Sequence, residues 1–461
     1  MHAVPAPTGL EHSISAEELF FSTTDLRGVI TSANSVFVRI SGYSAGELVG
    51  SPHSIVRHPD MPGGIFAAMW DTLERNEPFC GYISNLAADG GRYDVFATVT
   101  PLREGYLSVR IAPRVERFRE LGARIARSLT QIEQEARATG ANRREVARTA
   151  ASRIDEVTLA SCGLSQREFQ RHALPEEIQQ HIANNSPLPV RQAGGRLGAT
   201  LSRTAELAAA LDEWRNEQDA KQRIAGGLLD VAGSLRAETE TLRDIGEEIL
   251  ADPEAGGSLG GLVQPLRFWA LMQGIVELHL IDLSELVDEL IELGTDARFG
   301  VALAQLHALS LHRFTIALVD DAGAQGEPVG AIHDLVWALN EGVSVMVSSA
   351  DDYRAQIGYA ARRTASVRAI TDLPIRLLRL WSDDFNSHRI TPRAAQLARR
   401  LAASIEVIEE ALKELASLTS HLASLVKTPD ADRLRELLSR IDAATAPRYA
   451  SAASTRRYAL R

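Results

Sequence analysis

The chain has 461 residues, of which 45% are hydrophobic and 24% are charged, and its formal net charge is −11. This length is enough for several globular domains, and an acidic chain without a basic stripe is not expected to bind nucleic acid. Only two cysteines occur, Cys80 and Cys162. They are too few for a disulfide framework and do not have the spacing of metal ligands.

Neither the N-terminus nor the most apolar window of the sequence predicts a membrane segment. Residues 1–7 lack a charged region followed by an apolar core, so a signal peptide is not expected. The most apolar window, residues 262–281, contains Pro265, Arg267 and Glu277 and is too polar to span a bilayer. We therefore expect a soluble, cytoplasmic protein.

The first elements in chain order are two strands and a series of short helices. Apolar and polar residues alternate over residues 20–34 around an Asp/Gly turn, which predicts strand, turn, strand. Residues 36–41 carry apolar side chains on one helical face, and Ser44 with Glu47 forms a capping-box pattern for the next helix. Apolar residues at helical spacing predict an amphipathic helix over residues 65–75.

Three further strands follow over residues 79–87, 93–101 and 106–111, separated by turns at residues 89–91 and 103–105. Five strands and several short helices within this length predict an α+β domain. Its core would be a five-stranded antiparallel sheet with helices on one face. We place this domain at residues 18–114 and expect residues 1–17 to be a flexible N-terminus.

The loop over residues 55–62, with the sequence Ile-Val-Arg-His-Pro-Asp-Met-Pro, stands out within this domain. Its two prolines exclude a helix interior or a central strand. Arg57, His58 and Asp60 place three polar groups of different chemistry within four residues. Such a loop typically caps an element or lines a site.

The domain resembles the PAS sensor domain of the aerotaxis-receptor type. The shared residues include Ser41-Gly42-Tyr43-Ser44, Glu47-Leu48-Val49-Gly50, residues 56–62, Phe66, Met69-Trp70, Asn85, Asp89-Gly90, Thr100-Pro101 and Ser108-Val109-Arg110. The resemblance implies a redox sensor that holds flavin adenine dinucleotide (FAD) without a covalent bond. The positions that it associates with flavin binding are Asn34, Arg57, His58, Asp60, Phe66 and Asn85.

Two residues depart from the pattern of that family. The family has Trp where this chain has Phe79, and Trp or a similar residue where it has Asp94. A carboxylate at the second position either faces solvent or makes the pocket more polar, and a buried carboxylate would need a partner. Two alternatives to flavin therefore stay open: a heme held by His53 or His58, and a PAS fold without a cofactor that acts as a dimerisation or scaffold module.

From Arg114 onward the sequence predicts helices. Residues 117–137 form an amphipathic helix with Leu121, Ile125, Leu129 and Ile132 on one stripe, and a Gly/Asn break follows at residues 139–142. Residues 183–192 read as a loop because of their prolines and turn-forming residues. We assign residues 115–222 to a helical connector.

Two later stretches repeat apolar residues in alternating steps of three and four, which predicts helices paired along a narrow seam. Such seams belong to a helical bundle or to a coiled coil. They make a homodimer the expected assembly, although they can also close within one chain. The seam positions are Ile224, Leu228, Val231, Leu235, Leu242, Ile245 and Ile249, then Leu401, Ile405, Ile408, Leu412, Leu415, Thr419, Leu422 and Val426.

The region between the seams contains a predicted chain reversal at residues 320–330. A helical hairpin folded at its centre is similar to the chemoreceptor signalling domain, and residues 322–326 resemble the segment beyond its tip. The polar tip that binds the histidine kinase and coupling protein is absent: residues 313–318 are Arg-Phe-Thr-Ile-Ala-Leu. Pro328 would also break the helix that the family keeps intact. A second break at residues 252–261 interrupts the ascending arm.

We therefore assign residues 223–427 to a divergent signalling domain whose core includes Phe268, Trp269, Phe299, Leu303, Leu306, Leu309 and Phe314. His307 and His312 are five residues apart, which is the wrong spacing for two metal ligands on one helix face. Residues 428–461 are predicted to form a short helix over 431–443 and a disordered tail.

No nucleophile elbow, phosphate-binding loop or dinucleotide fingerprint occurs in the sequence, so an enzyme is not expected. The expected function is a cytoplasmic sensor of redox state, oxygen or a small ligand that relays its state through the helical region. Expected partners are a second copy of the chain and, if the chemotaxis resemblance holds, a chemotaxis kinase or coupling protein.

Overall fold

The computed structural model describes residues 5–185, 187–253, 260–320, 328–384, 391–425 and 431–445. The chain divides into two compact units, each built from separate stretches of sequence. The first unit comprises residues 1–215, 298–346 and 430–461, and the second comprises residues 216–297 and 347–429.

A five-stranded antiparallel sheet organises the first unit. Its strand order is β2-β1-β5-β4-β3, so that the first and last strands of the sequence meet at the centre. This confirms the predicted α+β class and all five strands. The strands are β1 (Leu19–Asp25), β2 (Ile30–Ala33), β3 (Phe79–Leu86), β4 (Arg92–Leu102) and β5 (Gly105–Ile111).

Short helices between β2 and β3 cover the inner face of the sheet. The Ser44 hydroxyl and the Glu47 carboxylate form the predicted capping box, which starts the second of these helices. Gly42 ends the first helix with φ of 70°, a conformation that favours glycine. The elements are α1 (Ser35–Ser41), α2 (Ala45–Leu48), a 3₁₀ helix (His53–Val56) and α3 (Gly63–Glu74).

Both outer strands of the sheet are covered by short segments. The backbone of Arg57 forms an isolated bridge with Asn85 of β3, and the His58 N–H donates to the Ser84 carbonyl over 3.4 Å. At the opposite edge, the N–H and carbonyl of Ile30 pair with Ser51 and Gly50. The loop that carries Arg57 and His58 is therefore attached to the sheet by main-chain bonds.

The N-terminal segment also contacts the sheet. Thr8 and His12 donate backbone hydrogen bonds to the carbonyls of Gly90 and Arg92, at 2.9 and 2.7 Å. This part of the segment predicted to be flexible therefore lies along the start of β4.

Four helices follow the sheet: α4 (Glu116–Ala138), α5 (Arg143–Ser152), α6 (Ile154–Cys162) and α7 (Gln166–Asn184). Ile125 and Leu129 of the predicted stripe are buried. On the outer face of the sheet, Tyr82 of β3 contacts Phe169 of α7 and lies where a side chain at Gly122 of α4 would be. Helices therefore lie on both faces of the sheet, whereas the sequence predicted them on one.

The remaining helices are long, and three of them contribute to both units. They are α8 (Gly195–Ala251), α9 (Val263–Asp320), α10 (Pro328–Asp384), α11 (Pro392–Ser424) and α12 (Ala431–Thr445). Pro328 is the first residue of α10, a position at which proline does not interrupt a helix. Most of each predicted chain break lies outside the described residues, namely residues 254–259 of the first and residues 321–327 of the second.

The second unit is a four-helix arrangement of residues from α8, α9, α10 and α11 around one apolar core. Every apolar seam position predicted in α8 and α11 is buried in it; Val426 lies outside the described residues. The seams therefore find their partners on other helices of the same chain.

The compact units do not coincide with the predicted domain ranges, because residues 298–346 belong to the first unit. His307 is 1% exposed, with its Nε2 3.3 Å from the Thr100 hydroxyl of β4. The Phe314 ring packs edge-on against Phe21 of β1, with ring centroids 5.0 Å apart. Phe314, which the sequence analysis assigned to the core of a separate domain, thus packs on the outer face of the sheet.

One helix among the described residues, Val263–Asp320, is long and apolar enough to satisfy a length and composition test for a membrane span. Of its most apolar window, 72% is buried inside the structure. A mostly buried helix of a globular core meets the same test, so this result is weak support for a span.

Replacing Gly64 with alanine should destabilise the first unit. Its new Cβ would lie 2.6 Å from the Ala150 Cβ of α5 and 3.0 Å from the Ala151 nitrogen. Such overpacking costs about 1–3 kcal/mol. The matched control is Gly46→Ala in α2, where nothing lies within 4 Å and alanine should be neutral or stabilising. Urea unfolding of the full chain measures both, and equal midpoints for the two variants would contradict the close packing of α3 on α5.

His307 should make stability depend on pH. Burial lowers its pKa from the usual 6.5 to about 4. The unfolded chain therefore binds more protons between these values, and stability is lost as the pH falls from 6.5 towards 4. At pH 5 the loss for this residue is about 2 kcal/mol. His307→Gln should remove that part of the acid sensitivity, measured as the difference between urea midpoints at pH 5 and pH 7.5. A variant as acid-sensitive as the wild type would refute this assignment.

Candidate functional site

A cavity of about 310 Å³ lies within the first unit, between the inner face of the sheet and α3. Its walls are mostly apolar and aromatic, with a few polar groups, which is the usual make-up of a small-molecule site. The lining residues that carry the argument below are His53, Arg57, Phe66, Trp70, Phe79, Asn85, Tyr106 and Arg110.

Aromatic rings form one wall of the cavity. Phe66 and Trp70 are four residues apart on α3 and therefore share one helix face. Trp70 packs edge-on against Tyr106 of β5, with centroids 5.3 Å apart. Gly28, with φ of +75°, lies below the Trp70 ring, where a side chain would come within 3.1 Å of it. The β1–β2 turn thus leaves room for the indole.

Arg57 places a guanidinium at the cavity. The Arg57 Cζ lies 4.3 Å from the centre of the Phe66 ring, a cation–π contact, and its Nη2 donates to the Met61 carbonyl over 2.8 Å. Burial, followed by the charge of Arg143, lowers the pKa of Arg57. The guanidinium is therefore held in place by its own loop and by α3.

Asn85 brings an unpaired donor to the same cavity. It is 3% exposed, and its Nδ2 has no hydrogen-bond partner among the described residues. A buried amide donor without a partner costs about 1–3 kcal/mol. The backbone bridge to Arg57 fixes its position at the sheet edge. An occupant with an acceptor atom would satisfy this group.

Arg110 and His53 form a second polar group in the cavity wall. The Arg110 Nη2 donates to the Ser22 hydroxyl over 3.1 Å and contacts His53 Nε2. Burial, followed by the nearby Arg110 charge, lowers the pKa of His53 to about 3, so the ring is neutral near pH 7. The imidazole can therefore accept from the guanidinium.

The structure brings three of the six residues implied by the resemblance to the cavity: Arg57, Phe66 and Asn85. Asn34 lies elsewhere, at the N-terminus of α1. Its Oδ1 accepts from the N–H groups of Phe37 and Phe21, at 3.1 and 3.2 Å. Its geometry is that of a helix cap.

His58 and Asp60 line a different, larger groove of about 750 Å³ beside α4. The His58 Nδ1 accepts from the Asp60 N–H over 3.2 Å, which makes the two residues a local turn. Asp94 lines the same groove, where it accepts from Ser84 at 2.6 Å and from Arg92 at 2.9 Å. Asp94 therefore lies outside the cavity and pairs with Arg92, so it does not make the cavity more polar.

The sequence analysis gave no role to Arg110, Trp70 or Tyr106. One signal for Arg110 was present: it is the only charged residue in β5, between Val109 and Ile111. Strand alternation places it on the face shared with Ser108, and that face lines the cavity.

The geometry does not favour a heme at either candidate histidine. His53 Nε2 already faces the Arg110 guanidinium, and His58 lies outside the cavity lining. Within the described ranges, no three His, Cys, Asp or Glu side chains are grouped so that they could hold a metal ion.

A family model described as PAS fold matches residues 30–108, which contain the inner helices and most of the sheet. The N-terminal domain is a PAS domain. It is 44% identical over 115 residues to the aerotaxis receptor of Escherichia coli (strain K12), covering 24% of this chain and 23% of the receptor. It is 38% identical over 81 residues to the nitrogen fixation regulatory protein of Klebsiella pneumoniae, covering 18% of this chain and 16% of that protein.

The chain thus matches less than a quarter of the length of these curated relatives. Among solved structures, the Rhodobacter sphaeroides LOV protein is similar, with 16% identity and a TM-score of 0.21 over 33% of this chain and 91% of the other. The helical remainder is consistent with a chemoreceptor-like signalling region.

Replacing Asn34 with alanine should separate the two roles assigned to it. As a helix cap, its loss should destabilise the PAS domain by about 1 kcal/mol and leave ligand affinity unchanged, while Asn34→Asp should keep most of the stability. Urea unfolding and ligand titration of the full chain measure both quantities. A loss of affinity with unchanged stability would instead favour the binding role that the resemblance implies.

Proposed function

We propose that this chain is a cytoplasmic, non-enzymatic signal-transduction protein whose PAS domain binds a flavin, and specifically FAD, with the flavin ring in the 310 Å³ cavity. The observation that carries the proposal is the unpartnered Asn85 Nδ2 in an aromatic-lined cavity next to Arg57. The 44% identity to the aerotaxis receptor over the same domain supports it.

The lining residues fit a flat, conjugated ring. Phe66, Phe79, Trp70 and Tyr106 provide apolar and aromatic surface, and Asn85 provides a donor for a ring carbonyl or nitrogen. Arg57 and Arg110 add positive charge on two sides of the lining. When bound, a flavin would supply a centre that gains and loses electrons reversibly.

The residues of this chain would position the ring and exclude water. Asn85 would hold its edge through the Nδ2 donor. Phe66 would pack against one face of the ring. Arg57 contacts Phe66 and the Met61 carbonyl of its own loop, so its guanidinium would respond to changes in the charge of the occupant. Phe79, 3% exposed, would close the cavity on the side of β3.

Helix α3 links the cavity to the helical connector. Phe66 belongs to α3, and the α3 N-terminus donates from the Gly64 N–H to Glu133 Oε1 of α4 over 2.8 Å. Glu133 is 3% exposed, and its other oxygen accepts from Arg137 at 3.0 Å. A change in Arg57 or Phe66 would therefore reach α4 through this buried hydrogen bond and through the charge of Glu133, which also acts on Arg57. A two-state shift of this kind needs only a few kcal/mol.

The proposed partners of this chain are a second copy of it and a chemotaxis kinase or coupling protein. The apolar seams of the second unit are filled within one chain, so a homodimer has to use other surfaces. A chemotaxis kinase or coupling protein is proposed only by analogy with the receptor relative. A ligand-free scaffold is the second candidate, and it predicts that no chromophore binds.

The visible absorption spectrum tests the flavin. We expect flavin bands in protein purified from its host, or after incubation with FAD. Asn85→Ala and Arg57→Ala should each raise the Kd at least about tenfold through the loss of a buried hydrogen bond or of a charged contact. Fluorescence titration of the full chain with FAD measures the Kd.

The matched control is Arg75→Ala. Arg75 lies at the end of α3, is exposed, and bonds to Asp71 and Glu77 outside the cavity, so affinity should not change. A colourless wild type that binds neither FAD nor riboflavin would leave the scaffold as the better function. Equal losses in all three variants would place the flavin elsewhere.

Glu133→Ala tests the relay. Hydrogen exchange at residues 63–74 and 126–138 should differ between oxidised and reduced flavin in the wild type. The variant should keep the difference in α3 and lose it in α4, because the Gly64 N–H then has no acceptor from that helix. Arg119→Ala is the control, since Arg119 is exposed on α4 and pairs with Glu116. Identical differences in Glu133→Ala and wild type would exclude this route.

A further inference from the structure

Arg110 is a buried cation in the cavity wall. It is 2% exposed, and its Nη1 has no hydrogen-bond partner among the described residues. Its guanidinium lies over Phe37, with the Cζ 4.9 Å from the ring centre. The groups that it does contact, the Ser22 hydroxyl and the neutral His53 ring, carry no charge.

No carboxylate compensates this charge. None of the described residues that line the cavity is Asp or Glu. Burial lowers the pKa of Arg110 to about 10, and among the described residues Tyr93 opposes this effect. Two further arginines line the cavity: Arg57, and Arg27, which is exposed and pairs with Asp25. The cavity wall is therefore electropositive, and its Arg110 guanidinium is shielded from water.

A buried charge without a partner is strongly unfavourable, and replacing it with an apolar side chain of similar size usually stabilises a protein. The Arg110 side chain already extends along aromatic rings, so that an apolar residue would pack there equally well. Packing alone thus does not account for the guanidinium. An anionic group in the cavity would account for it, because arginine binds such groups through several donors.

We propose that Arg110 pairs with negative charge on the cavity's occupant, and that this occupant is a flavin whose ring carries that charge when reduced. The inference rests on the proposed function and assigns a role to Arg110, which is not among the six positions that the resemblance associates with flavin binding. Full reduction transfers two electrons to the ring from a reductant, which is dithionite in the titration below. The ring keeps one negative charge when it takes up one proton rather than two. Arg110 favours that reduced, anionic form over the neutral oxidised form.

The first test is the reduction midpoint potential of the flavin-loaded full chain, titrated with dithionite. Arg110→Gln should weaken the preference for the reduced form about a hundredfold, which lowers the potential by about 60 mV for a two-electron couple. Arg110→Lys should restore most of the potential because it keeps the charge. The control, Arg92→Gln, removes an arginine that pairs with Asp94 outside the cavity. A potential that is the same in Arg110→Gln and in the wild type overturns the proposal.

The second test needs no flavin. Arg110→Met keeps the packing on Phe37 and removes the uncompensated charge. The urea midpoint of the ligand-free variant should therefore rise above that of the wild type. A lower midpoint would mean that the guanidinium serves the fold and would overturn the proposal. If the wild type binds no flavin, the proposed function fails, while a raised midpoint in this variant still supports a cavity built for an anion.

Discussion

The backbone bridge between Arg57 and Asn85 is the constraint on which the cavity depends. It attaches the proline-containing loop to the outer strand β3, and so sets the distance between a cation on the loop and an amide on the sheet. The prolines leave the loop no helical or central-strand alternative. From this anchor the chain enters α3, whose aromatic face closes the cavity and whose first turn contacts α4. One main-chain contact thus determines both the binding geometry and the path out of the domain.

Local patterns predicted the secondary structure well because their causes are local. The capping box at Ser44 and Glu47, the turns between strands and the apolar periodicity of α4 need no knowledge of distant residues. The seams were also predicted, since a 3.5-residue repeat specifies a partner helix. The repeat could not say which chain supplies that partner, and the structure shows that the same chain does.

The site was predicted only in part, for a physical reason. Arg57, Phe66 and Asn85 reach the cavity, but a resemblance along the sequence does not distinguish residues that face the ligand from residues that shape the loop around it. Asn34 belongs to the second kind because its side chain caps α1. Arg110 was missed because its importance comes from what surrounds it: burial without an opposite charge is a property of the folded domain. The covering of the sheet's outer face by residues 298–320 was missed for the same reason.

The covered edges of the sheet have a consequence for assembly. At β2, both main-chain groups of Ile30 are taken by Ser51 and Gly50. At β3, the Ser84 carbonyl is taken by the Arg57 loop and the Cys80 N–H by Gln170 of α7. A neighbouring chain therefore finds no free donors and acceptors at these positions from which to continue the sheet. At these positions, a partner that binds the domain has to recognise side chains rather than backbone.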